Sequence, residues 1–164
     1  MRRGASVSPD APSALRILHV EDDPNDSLLV GHAFKKGVPE ALLTLALDGE
    51  EAQAYLGGTG PYADRSLHPL PHLVLLDLKL PKRTGLEVLE WMKSRKDLAG
   101  LPVFILSSST EKSDVEQART LGATGYLSKQ GDMKQLVALA REIAAYLGGP
   151  GKNGKSPPPG ASPP

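Results

Sequence analysis

Four short apolar runs in this sequence each lead into side chains able to do chemistry. Leu15–Val20 leads into Glu21-Asp22-Asp23, Leu73-Val74-Leu75-Leu76 into Asp77, Val103–Leu106 into Ser107-Ser108-Ser109-Thr110, and Gly125–Leu127 towards Lys129. Gathered on one rim, these groups make a cluster of carboxylates, a hydroxyl and an ammonium. Two carboxylates 4 Å apart repel by about 4 kcal/mol at an effective dielectric of 20, so three at one spot demand a cation. Oxygen donors without Cys or His suit a hard ion such as Mg²⁺ rather than zinc. The chain has no cysteine, which also excludes disulfides, thiolate zinc sites and Cys nucleophiles. A carboxylate at a strand end can accept a phosphoryl group covalently, and Asp77 is the natural nucleophile. Lys129 and the Ser107 hydroxyl would then hold phosphoryl oxygens beside the ion. Taken singly, each piece has a plainer reading: Glu21–Asp23 as a helix cap, Asp77 as an ordinary strand end, Lys129 as a solvated loop residue. Their common edge is what favours chemistry.

That edge exists only if the intervening elements build it. Leu15–Val20 reads as a strand, followed by a helix with Asp23 as N-cap and Pro24 at its first position, ending near Lys36 with Gly37 as C-cap. Ala41–Leu47 is a second strand, and Asp48 caps a helix over Gly49–Leu56 that stops at Gly57-Gly58 before a loop of about 14 residues. His72–Asp77 is a third strand, Gly85–Arg95 a helix, Val103–Leu106 a fourth strand, Asp114–Leu121 a helix stopped by Gly122, and Gly125–Leu127 a fifth strand. Met133, Leu136, Val137, Ala140, Ile143, Ala144 and Leu147 recur at three and four residues, one apolar face of a last helix. Strands this apolar belong in a parallel sheet covered on both faces, a doubly wound three-layer α/β sandwich. Such folds bind ligands beyond the carboxyl ends of their strands.

Composition narrows the function classes. The 164 residues fit one domain with loose ends: an arm over residues 1–14, a folded part over 15–147 and a tail over 148–164 with five Gly and six Pro, both ends expected to be disordered. Net charge is zero overall, but the folded part carries 15 positive and 18 negative charges, which argues against a nucleic-acid footprint. The start of the chain has no apolar run of a signal peptide, and no stretch approaches a membrane span, so a cytoplasmic location is expected.

The segments ILHVEDDP, HLVLLDLKLPKRTGLEVL, LPVFILSSS and GATGYLSK, in this order across residues 15–147, resemble the receiver domain of bacterial two-component response regulators. The long loop after the second helix and the YLSK ending are similar to single-domain regulators paired with phytochrome-type histidine kinases. The resemblance implies a flavodoxin-like sandwich with strand order 2-1-3-4-5. It implies Asp77 as phosphoacceptor, Asp22 as a direct Mg²⁺ ligand, Glu21 as a ligand through water, and the backbone carbonyl of Lys79 as a further ligand. Ser107 takes the Ser/Thr switch position, Tyr126 the aromatic switch position and Lys129 the phosphate-binding role, while Lys79 and Ser109 stand where phosphoryl lifetime is tuned. Lys129 is followed by Gln130 where most receivers have proline, which puts the usual cis peptide there in doubt. A sensor histidine kinase is the implied donor and a downstream protein the implied target. The face made by residues 111–147 would change shape on phosphorylation. No nucleic-acid or membrane partner is implied, and a homodimer is compatible.

Other signals are discounted. Gly149–Ser156 fits G-x-x-x-x-G-K-S, but a helix precedes it and Pro157-Pro158-Pro159 follows, so no helix N-terminus cradles a phosphate. The proline tail is read as a linker rather than a peptide ligand. His68 and His72 have metal-like helical spacing, yet Pro69 and Pro71 preclude that helix, and His19 is read as a packed core residue. Trp91 is read as an edge of the core. Two rival functions stay open. A haloacid-dehalogenase-type phosphatase or phosphotransferase would want a second carboxylate at position 79, where Lys stands. A pseudo-receiver that only docks would not need Asp22, Asp77, Ser107 and Lys129. The reading favoured is a phosphoacceptor signalling domain rather than an enzyme with its own substrate.

Overall fold

The computed structural model describes residues 14–108, 111–129 and 131–148. Along them run β1 (Arg16–Val20), α1 (Pro24–Gly37), β2 (Leu42–Ala46), α2 (Gly49–Gly57), β3 (Leu73–Leu76), α3 (Gly85–Lys93), β4 (Val103–Ser107), α4 (Lys112–Thr120), β5 (Gly125–Ser128) and α5 (Met133–Gly148). The strands pair in parallel in the order β2-β1-β3-β4-β5. Element order and strand order match the expectation. The expected arm, the tail, its P-loop-like stretch, Ser109 and Gln130 with the peptide joining it to Lys129 lie outside the described residues.

Strand alternation divides the core between the two faces of the sheet. Ile17, Leu73, Leu75, Phe104, Leu106 and Leu127 point towards α1 and α5, where Val30, Phe34, Ala140 and Ile143 meet them. Leu18, Val20, Val74, Leu76, Val103 and Ile105 point towards α2, α3 and α4, against Leu56, Val88, Leu89, Met92 and Ala118. The three layers thus enclose two cores, and β3 and β4 are buried along their whole length. Trp91 packs half-buried against the second core, with the Arg95 guanidinium 5.2 Å from its ring centre, so it is a core edge as expected. His72 and His68 lie outside helices and strands.

Four local readings need correction. The turn after α1 does not use Gly37 as its cap: the helix runs through Gly37 and closes on Val38, whose N–H donates to Phe34 O. A Cβ on Gly37 would lie 3.0–3.3 Å from Val137 and Arg141, so this glycine allows α1 to approach α5 closely. Helix α3 ends at Lys93 instead of Arg95, where Ser94 caps it. Helix α4 starts at Lys112, two residues before Asp114, after a Glu111 cap that makes no side-chain hydrogen bond. Strand β2 is not covered on both faces: it is an edge strand, and only Ala46 of its five residues is buried. Arg65 anchors the loop after α2, donating to the carbonyls of Tyr55, Leu56 and His68 at 2.7–3.1 Å. There His68 meets Tyr55 and Tyr62 edge to face, the two tyrosine rings pack tilted at 58°, and Tyr62 Oη donates to Glu51 at 2.7 Å.

Candidate functional site

At the carboxyl ends of the strands the chain turns abruptly, and each turn fixes one functional side chain. After β1, Asp23 accepts from the N–H groups of Asn25 and Asp26 at 2.8 and 3.2 Å, capping α1 as expected. Its own N–H donates to Glu21 Oε2 at 3.1 Å, so the cap also holds the Glu21 carboxylate. After β3, the Asp77 N–H donates to Val20 O, continuing the ladder to β1, and Lys79 N–H approaches Asp77 Oδ1 at 3.4 Å. The turn then passes through Lys82 at φ 70°, a left-handed conformation. Gly85 opens α3 so close to this turn that a Cβ would stand 2.1 Å from Asp77 O. Thr84 and Glu87 close a capping box that fixes where α3 begins. After β5, Lys129 N–H donates to Ser107 O at 3.0 Å, tying the ends of β4 and β5 together.

These turns bring Glu21, Asp22, Asp77, Ser107 and Lys129 to one rim. Glu21, Asp77 and Ser107 are buried, while Asp22 is exposed. Carboxylate oxygens of Glu21, Asp22 and Asp77 lie within 4.8 Å of one another. Lys129 Nζ stands among the acids, 2.6 Å from Glu21 Oε1, 2.8 Å from Asp26 Oδ2 and 3.0 Å from Asp77 Oδ2. The contacts to Asp26 and Asp77 are directed hydrogen bonds. The contact to Glu21 Oε1 is an ion pair by distance only, and among the described residues this buried oxygen has no well-directed hydrogen bond. Tyr126 sits half-buried on β5, beside Ile105 of β4 and against the core under α2, α3 and α4. The Lys79 side chain is exposed.

Electrostatics follows from burial. Loss of water pushes the Glu21 carboxyl above its ordinary range, opposed by the hydrogen-bonding and charge of Lys129 and by the Asp23 N–H. Burial works against the Lys129 ammonium too, but its hydrogen bonds to Asp26 and Asp77 and its ion pair with Glu21 outweigh that and hold it more firmly charged than a free lysine. Beneath the rim lies His19, the buried core histidine expected, whose pKa falls to about 4 through burial first and then the charge of Lys129.

The arrangement suits a divalent ion. Three carboxylates converge, one of their buried oxygens lacks a directed hydrogen bond, and the group contains oxygen donors alone. Such a set belongs to hard cations. Asp26 was missed by the sequence reading. It is the third residue of a helix whose N-cap follows β1, and one turn from Asp23 places its carboxylate back over the strand ends; that offset was the available signal.

Residues 17–141 match the response regulator receiver domain model. The chain is 37% identical over 130 residues to the response regulator Rcp1 of Synechocystis sp., covering 79% of this chain and 86% of Rcp1. Its fold superposes on the phosphorylated cyanobacterial phytochrome response regulator RcpA with a TM-score of 0.73 at 34% identity, covering 80% of this chain and 91% of RcpA. The Mn²⁺-bound form of Rcp1 superposes with a TM-score of 0.70 at 37% identity, covering 80% of this chain and 92% of that one. The acidic rim, the buried strand-end aspartate and the flavodoxin-like sheet therefore have one family in common with these relatives: the chain belongs to the response regulator receiver domains, the phosphoacceptor signalling modules of two-component systems.

Proposed function

We propose that Asp77 is the phosphoacceptor and that its donor is a phosphohistidine of a sensor histidine kinase, of the phytochrome type by likeness to RcpA. An Asp77 carboxylate oxygen attacks phosphorus in line. The P–O bond forms as the P–N bond breaks, and the histidine leaves with its electron pair. Mg²⁺ held by Glu21, Asp22, Asp77 and the Lys79 carbonyl would supply charge neutralisation for the phosphoryl oxygens. Lys129 supports this reading most directly, since its ammonium already rests 3.0 Å from Asp77 Oδ2, ready to meet a phosphoryl oxygen there.

Phosphorylation puts a dianion beside the ends of β4 and β5. The Ser107 hydroxyl turns to it, and Tyr126 moves further inward behind it. The population shift this produces is limited by the contacts each state makes. The surface of residues 111–147 then presents a changed shape to a downstream protein in the cytoplasm. Lys79 and Ser109, flanking the phosphoryl site in the family pattern, set how long the acyl phosphate survives. The test is labelling by a phosphorylated histidine kinase or by acetyl phosphate. The wild type takes up label only with Mg²⁺ present, and Asp77→Asn takes up none; label persisting in Asp77→Asn refutes the assignment.

A further inference from the structure

Between Glu40 and Asp48 lie seven residues, Ala41-Leu42-Leu43-Thr44-Leu45-Ala46-Leu47, with no charge and no proline. They include β2, one of the two edge strands of the sheet, which among the described residues pairs with β1 alone. Exposed edges are ordinarily guarded by lysines, prolines or bulges, because their unpaired N–H and C=O groups template pairing with another strand. This edge has none of those guards and displays leucine instead: Leu42, Leu45 and Leu47 are 58%, 42% and 53% exposed. Leu67, 71% exposed, borders the same cleft as Leu42 and Thr44. Leu42 and Leu67 lie on the sheet face of Ala46 and Leu45 on the opposite face, that of Leu43, so this apolar surface, on the order of 400 Å² in all, flanks the edge on its two sides.

The hydrogen-bonding frame says what fits. Leu42 N–H donates to Leu15 O, and Ala46 O accepts from Glu21 N–H, so Leu42, Thr44 and Ala46 face β1. Leu43 and Leu45 therefore face outward. The stretch is closed at both ends by its own chain, Ala41 N–H donating to Val38 O and Leu47 N–H to Glu51 Oε1. Among the described residues, what remains open is one N–H and one C=O at Leu43 and the same at Leu45, placed symmetrically about Thr44. A copy of this strand related by a two-fold axis through Thr44 sets Leu43 opposite Leu45 of the partner, and each exchanges both hydrogen bonds. Asp48 is already engaged with Glu51 N–H and Lys82 at that end of the strand, which limits repulsion from Glu40 across the axis.

From this self-complementary edge we propose that two copies of the chain pair antiparallel through β2, joining their sheets into one. The area is below the roughly 800 Å² per partner of a standard interface, so the dimer is a weak one with micromolar dissociation. It does not depend on the role of Asp77.

Sedimentation velocity on the full chain, over a concentration series through the micromolar range, reads the association. The wild type shifts from monomer to dimer, and Leu45→Lys weakens association at least tenfold. Phosphoryl labelling of Leu45→Lys stays at the wild-type level, which keeps this claim separate from the phosphoacceptor assignment. The chain has no cysteine of its own, so a single Thr44→Cys reports the axis directly. Facing residues of a non-hydrogen-bonded antiparallel pair lie about 4.5 Å apart at Cα, within disulfide reach. Thr44→Cys therefore cross-links under mild oxidation, whereas Leu28→Cys, on an exposed position of α1, does not. A monomer throughout the series, a dimer that survives Leu45→Lys, or cross-linking of Thr44→Cys no faster than that of Leu28→Cys overturns the proposal.

Discussion

Replacing Lys129 with Met tests whether one ammonium is what lets the acids share the rim. Its Nζ lies 2.6, 2.8 and 3.0 Å from Glu21, Asp26 and Asp77, and the Glu21 and Asp77 side chains are only 1% and 8% exposed. Removing one partner of a buried ion pair costs about 3–5 kcal/mol, because a charge is left without compensation. Asp26, 34% exposed, adds little. Some water reaches Lys129, and Glu21 can take up a proton, which together reduce the expected loss to about 2–3 kcal/mol. For a domain of this size that lowers Tm by about 6–12 °C.

The same substitution has a defined pH signature. Glu21 already has a raised pKa in the folded state, so its contribution to stability falls as pH rises from the ordinary glutamate range through the raised value. Losing Lys129 removes an influence that lowers this pKa, so acid relieves the variant more than the wild type. His19 is held low by burial and then by Lys129, and without Lys129 its penalty on acidification also shrinks. Both effects act in one direction: the stability gap between wild type and Lys129→Met narrows from about pH 7.5 to about pH 5. Urea denaturation at the two pH values measures it. A gap that stays constant or widens, or that never exceeds about 0.5 kcal/mol, refutes the electrostatic reasoning.

Three further outcomes are expected. His19 has a folded pKa of about 4 against an ordinary 6.5, so the stability it contributes is present above pH 6.5 and is lost as pH falls towards 4. The full loss is about 3 kcal/mol, and His19→Leu shows a flatter acid limb in denaturation curves than the wild type. Gly85→Ala drives a Cβ to 2.1 Å from Asp77 O and 2.7 Å from Leu78 Cα, both backbone atoms. It costs about 2–4 kcal/mol by chemical denaturation and displaces the turn that carries Asp77. Arg65→Ala removes the side-chain donor from the carbonyls of Leu56 and His68 and leaves Tyr55 O with only the Gly58 N–H, costs about 2 kcal/mol, and speeds proteolysis within residues 58–72.

Much of this molecule is legible in its sequence because the strong signals are local. Strands such as Leu73–Leu76 are uniformly apolar, Asp23 and Asp48 cap the helices that follow them, and Gly58 closes α2 at φ 67°. Glu21, Asp22, Asp77, Ser107 and Lys129 could be grouped because a parallel sheet places all its strand ends on one side. What escaped depends on distances between elements. Asp26 reads as an ordinary acid in a helix first turn, and its pairing with Lys129, 103 residues away, is written in neither segment alone. Gly37 reads as a cap, and its function in the approach of α1 to α5 needs the second helix in place. The exposure of β2 was not readable from its composition, since an edge strand and a central strand can share one apolar composition, although the strand order implied by the family resemblance already put it at an edge.

The central claim is that the carboxylate of residue 77, and no other, carries the phosphoryl group. An aspartyl phosphate is reduced by borohydride to homoserine, so the modified position can be read by peptide mass mapping after exposure to acetyl phosphate and Mg²⁺. Homoserine is expected at position 77 alone, and not when Mg²⁺ is withheld. Homoserine at Asp22 or Asp26 with Asp77 intact, or no acyl phosphate under any condition that phosphorylates a related receiver, would contradict it.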